Sequence, residues 1–399
     1  MKKYVMVGCG SRGIESYAVP LVKKFKDCAQ LCGVYDINYK RAALVGKMAG
    51  EDIPVFYDFD EMLKTVKPDT VIVTTVDCFH DEYVIAAMNE GCDVIVEKPL
   101  TMTFEKCLAI KAAQEQTGKN ITVTFNLRFH PFFSRLKKIV ASGILGDEIL
   151  SVHYEWMIGV QHGADYFRRW HAERKNSGSL LVHKSTHHFD IANWLLEQDP
   201  VSVHAFGTRR YFGPTREKRS ERCLTCPYKQ ECEFYFDIQS AEFKELYFDC
   251  EDVDGYYRDR CVFSDRTDIE DSVSLSVLYS GGTVMSYSLT AHSPYEGMRI
   301  VLNGNKGRME ATTVENHVKI FNHNGDEYDI DLPKDRAGDH GGADENLLNS
   351  LFRGHEPETI GQMADFRAGM MSIGIGMAAN ISMEEKRRVD LSEFYDYKN

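Results

Sequence analysis

The stretch VMVGCGSRGIES, residues 5–16, decides the fold. An apolar, β-branched run ends at Val7, glycines follow at Gly8, Gly10 and Gly13, and a helix-compatible segment begins. Glycine at those three places permits a tight turn, lets backbone approach a ligand closely, and leaves room for a helix to pack on a strand. The turn delivers Ser11 and Arg12 to a helix N-terminus, where a pyrophosphate binds well. Alone the pattern is short, and its weight comes from its surroundings. The next apolar run, AQLCGVYD (29–36), ends in Asp36, where a ribose hydroxyl would need an acceptor. A carboxylate there repels a 2′-phosphate and favours NAD over NADP, while Arg12 and Arg41 soften the preference.

Further strand-like runs follow at TVIVTT (70–75), CDVIVEKP (92–99) and NITVTFN (120–126). Helical stretches at 13–25, 80–91 and 103–118 separate them. Near-continuous apolarity in short runs joined by helices predicts parallel strands covered on both faces, a doubly wound α/β domain over residues 1–125. Beyond residue 126 the runs lengthen and alternate, as in ILSVHYEWMI (149–158), VSVHAFGTRRYF (201–212), SVSLSVLYSGGTVMSYSLTAH (272–292), RIVLNGNKGRMEATT (299–313) and HVKIFNHNG (317–325). Period-two alternation predicts a large, mostly antiparallel open sheet with one face for solvent or a partner. Helices are expected near 131–141, 188–197, 343–352 and 360–380. The second domain, 126–399, is therefore α+β, with a Cys-rich insertion at about 213–262.

A chain of 399 residues suits two domains. A net charge of −13 without a basic stripe argues against nucleic acid as partner. No apolar run reaches the roughly 20 residues of a membrane span, and MKKYVMVG lacks the form of a secretory leader. The expectation is a cytoplasmic protein, whose eleven cysteines do not form a secreted disulfide framework.

Two segments carry chemistry. Glu97-Lys98-Pro99 ends a parallel strand, at the edge where open α/β sheets bind ligands. LLVHKSTHHFDIANWLL (180–196) sets three histidines, a lysine and an aspartate inside an apolar run. As a helix it would align His183, His187, Asp190 and Trp194 on one face, with His188 elsewhere. A metal site, a network of satisfied core histidines and acid/base catalysis all remain open. Histidine has the pKa for proton removal near neutrality.

These segments belong to a wider set: GCGSRG (8–13), VYD (34–36), TT (74–75) followed by His80, EKP (97–99), FNLRF (125–129), His187-x-x-Asp190 and DHGGADENLLNSLF (339–352). With them the chain resembles the Gfo/Idh/MocA oxidoreductases over nearly its whole length. The resemblance implies a Rossmann domain, an α/β domain whose open sheet faces substrate and an oligomer partner, and redox chemistry on sugars, polyols or their derivatives. It implies a homodimer or homotetramer formed through that sheet. It assigns Gly8, Gly10, Ser11, Arg12, Gly13, Asp36, Arg41, Thr74, Thr75, His80, Glu97, Lys98, Asn126 and Arg128 to the NAD site. Lys98 becomes the active-site lysine and His187 the general base. Asp190 would orient the imidazole. Arg169, Trp170, His183 and Lys184 would line the carbohydrate pocket with Lys98 and His187. The family often has an aspartate four residues before that histidine, and here His183 stands there. An NAD-dependent glycoside hydrolase, which oxidises transiently and eliminates, and a non-catalytic NAD-binding regulator are the competing readings.

The insertion holds ERCLTCPYKQECEFY (221–235), with Cys223, Cys226 and Cys232 in C-x2-C-x5-C spacing and Cys250 and Cys261 downstream. Clustered thiolates of this kind suit a structural zinc, with Cys261 as fourth ligand and Cys250 as alternate. An iron–sulfur cluster and metal-free thiols remain open.

Overall fold

The structure, a computed structural model, describes residues 1–332, 339–354 and 360–395. The apolar runs of the first part form β1 (Lys2–Val7), β2 (Ala29–Tyr35), β3 (Val55–Phe56), β4 (Thr70–Val73), β5 (Asp93–Val96) and β6 (Ile121–Val123). They pair in the order β6-β5-β4-β1-β2-β3, all parallel. Order reverses beside β1, so the carboxyl ends of β1, β4 and β5 open onto a crevice. Val71, Val73, Val94 and Val96 are fully buried, as strands covered on both faces require. The covering helices start at capping side chains, for example Asp58, which accepts from Glu61 N–H, and Thr103, which accepts from Lys106 N–H.

The second sheet contains β7 (Ile149–Gly159), β8 (Pro200–Thr208), β9 (Ser272–Tyr279), β10 (Val284–Ser293), β11 (Gly297–Gly304), β12 (Gly307–Thr312), β13 (His317–Asn322) and β14 (Glu327–Asp331). Their order is β14-β13-β12-β11-β7-β10-β9-β8. Only the β7–β10 pair among them is parallel. Alternation is clear in β9, where Val273, Leu275, Val277 and Tyr279 are buried and Ser274, Ser276 and Leu278 face outward. Two short strands complete the sheets. β15 (Ala364–Asp365) pairs antiparallel with β6, so the far end of the chain returns to the first sheet, and β16 (Val389–Asp390) pairs with β8.

Helix Thr186–Leu196 lies against the inner face of the second sheet, with ten of its eleven residues buried. A helix buried on nearly every side is held all round, so its side chains, the polar ones included, are set by packing. Helix Phe366–Glu385 is similarly buried and packs on helix Thr186–Leu196 and on β8. Among the described residues, no helix is long and apolar enough to cross a membrane.

Candidate active site

The glycine loop closes tightly on β4. Gly8 has φ +92°, and a Cβ placed there would stand 2.6 Å from the Thr74 carbonyl carbon. A Cβ on Gly13 would lie 2.3 Å from the Gly8 carbonyl oxygen, so only glycine fits either place. Thr74 Oγ1 donates to the Gly8 carbonyl at 2.6 Å. Asp36, just past β2, accepts from the Cys9 and Asn38 N–H groups at 2.6 and 2.7 Å. Arg41 Nε lies 3.7 Å from Asp36, and its other arm pairs with Asp254 of the insertion.

That insertion reaches across the loop. Tyr247 Oη accepts from the Ser11 N–H at 3.2 Å, Asn38 donates to the Cys250 carbonyl at 2.8 Å, and Lys40 pairs with Asp252 at 2.7 Å. On the opposite side Arg12 pairs with Asp344 at 3.0 Å, and Asn126 donates to the same carboxylate at 2.8 Å. Tyr247 is marked by no local pattern and Asp344 only by its place in DHGGADENLLNSLF, and both arrive from over two hundred residues away.

Glu97 is buried and accepts from Arg12 Nε and Tyr17 Oη, each at 2.7 Å. Burial alone would raise its pKa, but Arg12 and Lys98 outweigh burial and hold it below the ordinary carboxylate value. His80 touches backbone: its ring nitrogens lie 2.8 Å from the Pro99 carbonyl and 3.1 Å from that of Thr75. It clips together the ends of β4 and β5 and so acts on the cofactor crevice through those loops.

Lys98 stands one residue further, in the centre of a buried polar chain. Its Nζ lies 3.3 Å from His183 Nε2 and donates to the His183 carbonyl at 3.1 Å. His183 Nδ1 lies 2.6 Å from an Asp77 carboxylate oxygen. The contacts assign a neutral imidazole that donates from Nδ1 to Asp77 and accepts from the Lys98 ammonium at Nε2. Burial lowers the pKa of Lys98, and Asp77 and Glu97 pull the other way. His183 was expected to line the carbohydrate pocket, but both its ring nitrogens are engaged by Lys98 and Asp77. Sequence reading passed over Asp77 in TTVDCFH although it sits at the carboxyl edge of the sheet. The histidine at position 183 was the available signal, because a carboxylate missing from one element has to come from another.

Around this chain, Trp170 stacks on His171 at 3.7 Å and meets His183 edge-on at 5.3 Å. Arg169 pairs with Asp165 at 2.7 Å. Lys184 is half-buried, and burial reinforced by Lys98 pulls its pKa down to about 7.

The segment 180–196 is two helices, Leu180–His183 and Thr186–Leu196. Tight i→i−3 bonds from His187 N–H to Lys184 and from His188 N–H to Ser185 interrupt the 3.6-residue period. The expected single face is therefore broken between His183 and His187. His187, at the first turn of the second helix, rests beside Phe125 just beyond β6, with ring centroids 6.0 Å apart. His188 points into the core, bonded to Tyr287 Oη at 2.9 Å and packed on Trp156. Asp190 was expected to orient His187, and Arg128 to hold cofactor. Instead they bind each other, Arg128 Nε and Nη2 donating to the Asp190 oxygens at 2.8 and 2.6 Å. A guanidinium fork matches both carboxylate oxygens, and a buried carboxylate requires such a partner.

Burial holds His80, His171, His183 and His188 below the ordinary histidine pKa. Below about pH 6.5 the unfolded chain takes up protons that these folded histidines refuse, so unfolding becomes easier as pH falls. The melting temperature is expected to drop on acidification from pH 7 to 5, and calorimetry across that range checks it.

Cys223, Cys226, Cys232 and Cys261 line one cavity of about 220 Å³, while Cys250 lies elsewhere, its thiol donating to the Glu245 carbonyl. All eleven cysteines are free. The zinc expectation is not supported: among the described residues, no three His, Cys, Asp or Glu side chains converge closely enough to hold a metal ion. Zn–S bonds of about 2.3 Å demand sulfurs about 3.8 Å apart, whereas these four thiols line the wall of a cavity.

A glycine loop on a parallel sheet, an acidic residue ending β2 and a half-buried lysine just past β5 define a dinucleotide-binding oxidoreductase. Residues 2–125 match the model of the oxidoreductase family, NAD-binding Rossmann fold, and residues 137–391 that of the same family's C-terminal alpha/beta domain. The chain belongs to this Gfo/Idh/MocA family. It is 34% identical to the protein YteT of Bacillus subtilis (strain 168) over 429 aligned positions, covering 100% of both chains. Inositol 2-dehydrogenase 2 of Saccharopolyspora erythraea is 29% identical over 206 residues, 51% of this chain and 57% of that protein. The fold also matches scyllo-inositol dehydrogenase of Lactobacillus casei, solved with NAD(H) and scyllo-inositol (TM-score 0.67, 17% identity, 98% of this chain and 99% of that one).

Proposed function

We propose that this enzyme oxidises a secondary alcohol of a cyclic polyol, sugar or sugar derivative with NAD. The observation that carries the reading is the Asp77–His183–Lys98 chain, which fixes an ammonium at the carboxyl end of β5. The family assignment and the inositol dehydrogenases among its relatives and structural neighbours support the substrate class.

The residues present fit the cofactor. Gly8, Gly10 and Gly13 leave the space, Ser11 and Arg12 open the helix, and Asp36 supplies the ribose acceptor; Thr74, Thr75 and Glu97 border the same crevice. NAD, when bound, supplies the hydride acceptor. The side chains do the rest. Lys98 holds the substrate oxygen and stabilises its developing negative charge. His187 removes the hydroxyl proton. Trp170, Arg169 and Lys184 shape the pocket. Asp77 and His183 position Lys98 and maintain its charge.

Asp77→Asn removes the carboxylate that pulls the Lys98 pKa upward, a pull that works against the burial raising the pKa of Asp77 itself. The Lys98 pKa then falls, and the alkaline limb of the kcat profile is expected to move to lower pH. A folded Asp77→Asn enzyme with an unmoved limb contradicts the positioning role.

The insertion bridging Ser11, Asn38, Lys40 and Arg41 favours a second reading, in which NAD stays bound and returns the hydride after glycoside cleavage. Product analysis distinguishes the two. Stoichiometric NADH from a free polyol or sugar supports net oxidation, and aglycone release without NADH accumulation supports cleavage.

The outward face of the nine-stranded sheet exposes Phe206 at 71% and Val284 at 52% among serines and threonines. In this reading a second copy covers that face. Sedimentation velocity should show a dimer or tetramer, and Phe206→Glu should shift it toward monomer.

A further inference from the structure

We infer that the insertion binds a polynuclear iron–sulfur cluster through Cys223, Cys226, Cys232 and Cys261. Three of these thiols are close in sequence and Cys261 arrives from further along the chain, yet all four share one cavity of about 220 Å³. An antiparallel bridge between Arg222 and Arg260 brings two of them together. Side chains alternate across such a pair, so Cys223 and Cys261 flank the bridge on the same face. Cys226 follows within the next turn, its N–H donating to the Cys223 carbonyl at 3.2 Å.

The spacing of the thiols selects the occupant. A single tetrahedral ion pulls four sulfurs to one point, and these side chains do not converge that way. In a cluster each thiolate binds an iron of a larger inorganic body, four cysteines being the usual set. Several irons with bridging sulfides fill a cavity of this size, whereas one zinc leaves most of it unfilled.

The surrounding charge agrees. Four thiolates bring more negative charge than the irons and sulfides offset, so nearby cations and N–H donors to sulfur stabilise the site. Buried Arg168 donates to Cys223 Sγ at 3.3 Å and to the Phe234 carbonyl at 2.8 Å. Arg216, Lys218, Arg219, Arg222 and Lys229 line the cavity, with Arg216 paired to Glu233, Lys218 to Glu231, Arg219 to Asp265 and Arg222 to Glu251 and Asp259. Arg168 directly precedes Arg169 and Trp170, so the cluster anchors the wall of the catalytic pocket. This role is structural and requires no electron transfer.

The test is an inventory of the full-length protein, expressed with added iron and sulfur and purified without oxygen. Iron, zinc and acid-labile sulfide are counted per chain, and the visible spectrum is recorded. At least two irons with matching sulfide and a broad visible absorption are expected. Cys226→Ser and Cys232→Ser should each lose most of both, and Cys250→Ser should retain them. One zinc without sulfide, or thiols without metal after attempted reconstitution, overturns the proposal. Because the wild-type inventory alone decides, poor folding of a variant does not blunt the test.

Discussion

Replacing Lys98 by methionine is expected to lower kcat by about 10²- to 10³-fold, the usual loss when one donor to a developing oxyanion is removed. The stem of methionine fills the same space without the charge, so packing changes little. NAD binding should persist, because the glycine loop and Asp36 lie on other strands. The expected size of the effect rests on the surroundings of the ammonium. It lies half-buried beside Glu97, next to His183, with Asp77 one hydrogen bond further on pulling its pKa upward. Lys98→Arg should not rescue, since a planar fork cannot replace a compact ammonium between His183 Nε2 and the His183 carbonyl. The check pairs steady-state kcat with a cofactor-binding titration on the same preparation. Lost turnover with lost binding would assign Lys98 to the cofactor instead.

The second large effect concerns stability. Asp190→Ala leaves Arg128 buried without its carboxylate, a change that costs about 3–5 kcal/mol. Both side chains are almost inaccessible, at 1% and 8% exposure. Arg128 also donates to the Gly361 carbonyl at 3.1 Å and lies over the Trp194 ring, so the pair joins β6, helix Thr186–Leu196 and the segment before β15. Urea unfolding should show a lower midpoint with an unchanged slope. Asp190→Asn, which keeps the shape, should retain the wild-type pH dependence of kcat. If that profile shifts while stability holds, Asp190 acts on His187 after all.

These two residues show what could be read from the chain and what could not. Gly8, Gly10, Gly13, Asp36, Glu97 and Lys98 were legible because a parallel strand, its turn and its helix are local in sequence. The edge of the sheet then has one position for each. Alternation likewise gave the second sheet, because burial on one face writes a period of two into β9 and β10. The polar partners were not legible. His187 and Asp190 are three residues apart, yet the carboxylate turns to an arginine 62 residues upstream. His183 and Lys98 meet Asp77 from three separate segments: a short helix, the end of β5 and the turn after β4. Such pairings follow from how two domains dock, and periodicity carries no record of docking. The break at Lys184–Ser185 was missed for a related reason: a turn of altered pitch inside an apolar run leaves the composition unchanged. The cysteine spacing named four ligands, but only the cavity they share speaks to what they would hold.

The most direct test of the catalytic account is a single-turnover experiment. NAD-loaded enzyme is mixed with a panel of cyclic polyols, free sugars and glycosides while enzyme-bound NADH is followed by its fluorescence. Transient or lasting NADH formation is predicted with at least one class, retained in Asp190→Asn and slowed by about 10²-fold or more in Lys98→Met. Saturating NAD binding with no NADH across the panel, or formation undiminished in Lys98→Met, would contradict it.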